Sequence, residues 1–150
     1  MSTKRAPINV LPRSEQSGGE ISVIESGSLP GFGGPPLHHH DFDEAFYVIE
    51  GKLTSQFGDE LFSAKAGELA FAPRKVPHTY ANLRAAPTRH LLVCTPAGFE
   101  RYFARMAAER QGTVPPIGPC SRSPRTPRSI RESILRRFND DDYGKDLCFP

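Results

Sequence analysis

The chain has 150 residues, 37% of them hydrophobic, and a formal net charge of +2; that is the length of one ordinary domain and too little charge to indicate a nucleic-acid binder. Leu, Ile, Val and Phe total 34 of the 150, above the ~20% level below which a chain stays disordered. No apolar run approaches the ~18 residues of a membrane span, and the N-terminal MSTKRAPINVLPR lacks the apolar stretch of a secretion signal. A cytoplasmic protein with no nucleic-acid and no membrane partner is expected. Cys94, Cys120 and Cys148 are odd in number and far apart, which argues for reduced thiols rather than a disulfide framework.

Residues 1–18 read as an N-terminal arm. Its short apolar stretch Ile8–Leu11 is placed to cross to a second copy of the chain, so a homodimer is expected. From residue 19 onward, short β-rich segments alternate with Gly and Pro. Strands are predicted at Glu20–Glu25, Leu37–His40, Ala45–Glu50, Lys52–Phe57, Glu60–Ala64, Glu68–Ala72, His78–Leu83 and His90–Thr95. Their rhythm suits an antiparallel sandwich or barrel. Phe99, Tyr102, Phe103 and Met106 then recur at helical spacing, predicting a helix over Gly98–Gln111 that Gly112 stops. Residues 19–111 therefore form the predicted domain. Residues 112–150 carry six of the 15 prolines and seven Lys/Arg, and read as a flexible tail. Within it, Ser129 and Glu132 make a capping-box pattern ahead of Ile130, Ile134, Leu135 and Phe138, so a short helix over 129–138 is possible.

Chemistry-bearing residues concentrate around three consecutive histidines. In an extended segment alternate side chains share a face, so His38 and His40 can point at one centre while His39 points away. Glu44 follows at the start of the next strand, and His78 opens another after the turn Pro73–Pro77. Imidazole and carboxylate together suit one divalent transition metal, with Fe, Mn, Ni, Co, Cu and Zn all compatible. Phe46 and Val48 share the face of Glu44 and would form an apolar wall. Tyr80 and Asn82 share the face of His78 and are candidate pocket residues. His39 is expected at the surface or supporting a ligand from behind, His90 packed in the core, and Cys94 buried as a structural thiol.

The spacing resembles the cupin family, whose pattern is Gly-x5-His-x-His-x3-4-Glu-x6-Gly followed by Gly-x5-Pro-x-Gly-x2-His-x3-Asn. Here it is His38-x-His40-x3-Glu44-x6-Gly51, then Gly67-x5-Pro73-x-Lys75-x2-His78-x3-Asn82. Two positions depart from it. Gly31 stands one place further from His38 than the pattern has it, although Gly33 and Gly34 can still make the turn, and Lys75 replaces a glycine. That second turn must be made without a positive φ, or with strain.

The resemblance implies an all-β fold, an antiparallel β-barrel of the double-stranded β-helix or jelly-roll type with a C-terminal helix. It also implies one metal held by His38, His40, Glu44 and His78. The stretch from Pro73 to Phe103 looks most similar to small bacterial quercetin-dioxygenase-like cupins. That similarity implies an oxygenase-type enzyme acting on a small, largely apolar or aromatic metabolite at the metal, with Glu44 as both ligand and base. The alternatives are a metal-dependent isomerase or cyclase, with Tyr80 as acid/base, and a non-enzymatic cupin that binds a metal or small-molecule ligand.

Overall fold

Alternation of inward apolar and outward polar residues builds most of residues 8–113, the part of the chain that the computed structural model describes. The elements are β1 (Asn9–Val10), α1 (Ser14–Ser17), β2 (Ser22–Ser28), β3 (Asp43–Glu50), β4 (Lys52–Phe57), β5 (Glu60–Lys65), β6 (Leu69–Ala72), β7 (His78–Ala81), β8 (Thr88–Thr95) and α2 (Glu100–Arg110). One sheet runs β1-β2-β8-β3-β6 and the other β5-β4-β7, with antiparallel neighbours throughout. This is the all-β barrel with a C-terminal helix that the sequence implies. The possible helix over 129–138 and most of the 112–150 tail lie outside the described residues.

Between the sheets sit Ile24, Phe46, Val48, Leu53, Ala64, Ala72 and Leu92. Each is the inward member of a period-two pattern, and burial of the larger ones is worth about 1.5–3 kcal/mol apiece. Phe46 and Val48 project inward from β3 together with Glu44, while Tyr47 between them faces out. Inward positions of β8 are His90, Leu92 and Cys94.

One local expectation differs from what forms. Leu37–His40 is not a strand: only the isolated bridge His38–His78 joins it to β7, through amide-to-carbonyl bonds of 3.1 and 2.7 Å. Two prolines precede it and removed donors leave little ladder to extend. Within the stretch Ile8–Leu11, Asn9 and Val10 pair with Glu25 and Ile24 of the same chain. Lys75 adopts a positive φ of 66°, so its turn keeps the left-handed geometry natural to glycine and bears strain. Gly34, by contrast, is indispensable: at φ 84° a Cβ there would lie 2.0 Å from the Tyr80 carbonyl oxygen.

Candidate metal centre

Three separate segments bring the candidate ligands together. His38 and His40 come from the irregular segment before β3, Glu44 from the start of β3, and His78 from the start of β7. The turn that delivers His78 is clipped to both other segments. The Lys75 amide donates to the His40 carbonyl at 2.7 Å, while Arg74 donates from its amide and its guanidinium to the Asp43 carboxylate at 2.7–3.3 Å. The donor atoms of His38, His40 and His78 lie within 4.8 Å of one another. All three rings are buried, and His39 is exposed.

Ring orientation is set by the backbone. Nδ1 of His38 donates to the Pro36 carbonyl at 2.8 Å, that of His40 to Phe42 at 2.9 Å, and that of His78 to Val76 at 2.8 Å. A carbonyl only accepts, so each Nδ1 carries a proton and each ring turns its Nε2 inward. Oε2 of Glu44 lies 3.1 Å from Nε2 of His40 and 3.0 Å from Nε2 of His78. Burial opposes ionisation of Glu44, yet its hydrogen bonds with His40 and His78 prevail and hold the carboxyl down at about 2. Burial, with His78 alongside, lowers His38 to about 4 and keeps that ring neutral. Electron pairs facing one another across about 3 Å require a positive charge among them, either protons on the rings or a cation. The donor set therefore fits a divalent metal.

Beside His38 and Glu44 lies an inner cavity of about 20 Å³, bounded by Tyr80, Leu92, Phe99, Tyr102 and Phe103. That is room for roughly one water. Tyr80 packs against Phe46 and His90 with ring centroids 5.1 and 5.2 Å apart. Phe46 stands 6.4 Å from His78, whereas Val48 sits deeper, opposite His90 in the core. Asn82 is wholly buried and spends its side chain on loops: it donates to the carbonyls of Ser28, Leu29 and Ala86 and accepts from the Arg84 amide. That is an anchoring role rather than the pocket contact expected of it. Burial, with Glu44 and Glu100 nearby, pushes the Cys94 thiol well up, so it is a packed protonated group. Phe99, Tyr102 and Phe103 close the metal end of the barrel, a role their helical spacing did not disclose, because that spacing signals only a buried face.

Fold and cluster together define a double-stranded β-helix with a candidate three-histidine metal centre, flanked by a carboxylate, at one end of the barrel. The chain matches the Cupin domain family over residues 18–94 and belongs to it. Over 60 residues it is 32% identical to the uncharacterized protein MJ1618 of Methanocaldococcus jannaschii, covering 39% of this chain and 47% of that one, so the match spans about half the length of that curated relative. Among solved structures, it is similar to an uncharacterized conserved protein with a double-stranded beta-helix domain from Klebsiella pneumoniae, at 21% identity and a TM-score of 0.55 over 65% of this chain and 83% of that one. It is also similar to KdgF from Halomonas sp., at 17% identity and a TM-score of 0.55 over 63% and 81% of the two chains. At these identities the structural likeness concerns the fold alone. Among the described residues, no helix is long and apolar enough to cross a membrane.

Proposed function

We propose that this cupin is a mononuclear, metal-dependent enzyme of the oxygenase type, similar to the quercetin-dioxygenase-like cupins, acting on a small, largely apolar or aromatic metabolite. The observation that carries this reading is a set of three buried imidazoles and one buried, ionised carboxylate facing a cavity with aromatic walls. Bound there, a divalent metal supplies a Lewis acid and, where redox-active, an electron path to dioxygen. His38, His40 and His78 would hold it, and the Glu44 carboxylate beside them would complete the set and serve as the base that takes a proton from the substrate. Phe99, Tyr102 and Phe103 exclude water from the reacting end.

A second reading, a metal-dependent isomerase or cyclase, is favoured by Tyr80, whose side chain lines the same cavity as Glu44 and could donate a proton there. A homodimer is part of the proposal. In its support, Tyr47, Leu69 and Phe71 on the outer face of β3 and β6 are 40%, 53% and 53% exposed, an apolar patch of the kind that meets a partner.

The test is metal analysis of protein purified without a histidine tag, followed by dioxygen uptake over flavonols, catechols and β-diketones. A redox-active metal with substrate-dependent uptake is expected. Anaerobic turnover that tolerates zinc would favour the isomerase or cyclase, and bound metal with no turnover in either assay would leave a binding protein.

A further inference from the structure

On the far side of Phe99 and Tyr102 from the inner cavity is an open cleft of about 1000 Å³. The same two rings line both spaces, and the candidate ligand His40 also lines the cleft. Flat aromatic surfaces form the cleft wall. His40 stacks on Phe42 with centroids 3.5 Å apart and planes 3° from parallel, and Phe99 stacks on Tyr102 at 5.5 Å and 5°. Phe42 and Phe99 join the two stacks at 5.2 Å.

The rim carries Lys75, Arg101 and Arg105, against one carboxylate, Asp41. Arg105 is tied to Glu109 at 3.0 Å and Lys75 lies 3.6 Å from Asp41. Two of these cations violate local rules to stand where they do. Lys75 holds a φ of 66° at a position suited to glycine. Arg101 sits in the first turn of α2, where the helix dipole disfavours positive charge. Local rules broken together around one concave surface mark a site with a task other than stability. An anion bound there would offset the unfavourable field at Arg101.

We propose that this cleft binds the carboxylate of a flat, aromatic or conjugated organic acid, with Arg101 and Lys75 as its specificity-determining residues. That the bound acid is also the substrate rests on the metal-centre reading above; the carboxylate preference does not. The ring of the acid lies against Phe42, Phe99 and Tyr102, and its onward path to the metal is past Phe99 and Tyr102.

The experiment titrates the full chain, metal-loaded and again after chelation, with 2-naphthoate and with neutral 2-naphthalenemethanol. Naphthoate is expected to bind about tenfold more tightly than the alcohol in both forms, and Arg101→Gln to remove most of that preference. Lys75→Gly is expected to weaken naphthoate about threefold while raising Tm by about 2–5 °C as backbone strain is relieved. Equal affinity for the two probes overturns the inference, as does an unchanged preference in an Arg101→Gln variant whose Tm shows it folded. A preference that vanishes on chelation places the carboxylate on the metal and overturns it too. Protein that holds no metal yet keeps an Arg101-dependent preference supports the cleft and defeats the metal-centre reading instead.

Discussion

His38, His40 and His78 are each fixed twice, at Nδ1 by a backbone carbonyl and by burial of the ring, so each truncation removes a pre-oriented ligand. His38→Ala, His40→Ala and His78→Ala are expected to strip most of the metal, by elemental analysis of the purified variants, whereas His39→Ala, altering an exposed ring, should retain it. Glu44→Gln should weaken binding less than any of the three, since an amide oxygen can still ligate. The candidate ligands were legible in the sequence because two residues per repeat is the only spacing that aims His38 and His40 alike and His39 away. Their orientation was not legible. It depends on the carbonyls of Pro36, Phe42 and Val76 turning toward the rings, which is a property of loop conformation that no residue type announces. Lys75 was legible as a conflict and not as its outcome: a glycine position filled by lysine can be resolved by abandoning the turn or by straining it, and the chain strains it.

Elements with strict alternation, such as β3 and β8, could be read closely because each buries one face. Pairing decides the others. The segment at residues 37–40 has strand-like composition but finds only a single bridge to β7, and β1 finds a partner in its own chain. The N-terminal elements are also held from the other end of the domain. Glu100 at the start of α2 accepts from the amide and hydroxyl of Ser14 in α1, and from the Gly98 amide at 2.9 Å. Burial opposes ionisation of Glu100, yet these donors hold its carboxyl at about 2, below its ordinary 4.5. The folded pKa is depressed, so this stabilisation is complete above about pH 4.5 and is lost as pH falls toward 2. Ser14→Ala should lower Tm at pH 7 by several degrees, a cost of about 1–2 kcal/mol, and should flatten the acid limb of the stability curve between pH 4.5 and 2. Thermal melts across that range provide the measurement.

At the scale of the whole molecule, the four candidate ligands lie between residues 38 and 78, so removing residues 113–150 is expected to leave metal content unchanged, and elemental analysis of the truncated chain checks this. Metal and fold stability should be linked, because one cation would tie the 37–40 segment, β3 and β7 together and would find no such site in the unfolded chain. With free metal at a hundred times Kd the native state gains about 2.7 kcal/mol, or a rise in Tm of roughly 10 °C or more for the folded part of the chain; His78→Ala should show little of it. The pH dependence follows from His38, lowered by burial and by His78 from 6.5 to about 4. A histidine with a depressed folded pKa is neutral in the native state while the unfolded chain takes up a proton, so metal-free stability is unaffected above about pH 6.5 and falls as pH drops toward 4. The full effect is on the order of 3 kcal/mol, and His38→Ala should remove that slope. Melts of chelated protein and of chelated His38→Ala between pH 7.5 and 4 decide the matter: an acid limb of equal slope in the two would mean that His38 titrates as an exposed histidine does and is not the buried, neutral ring described.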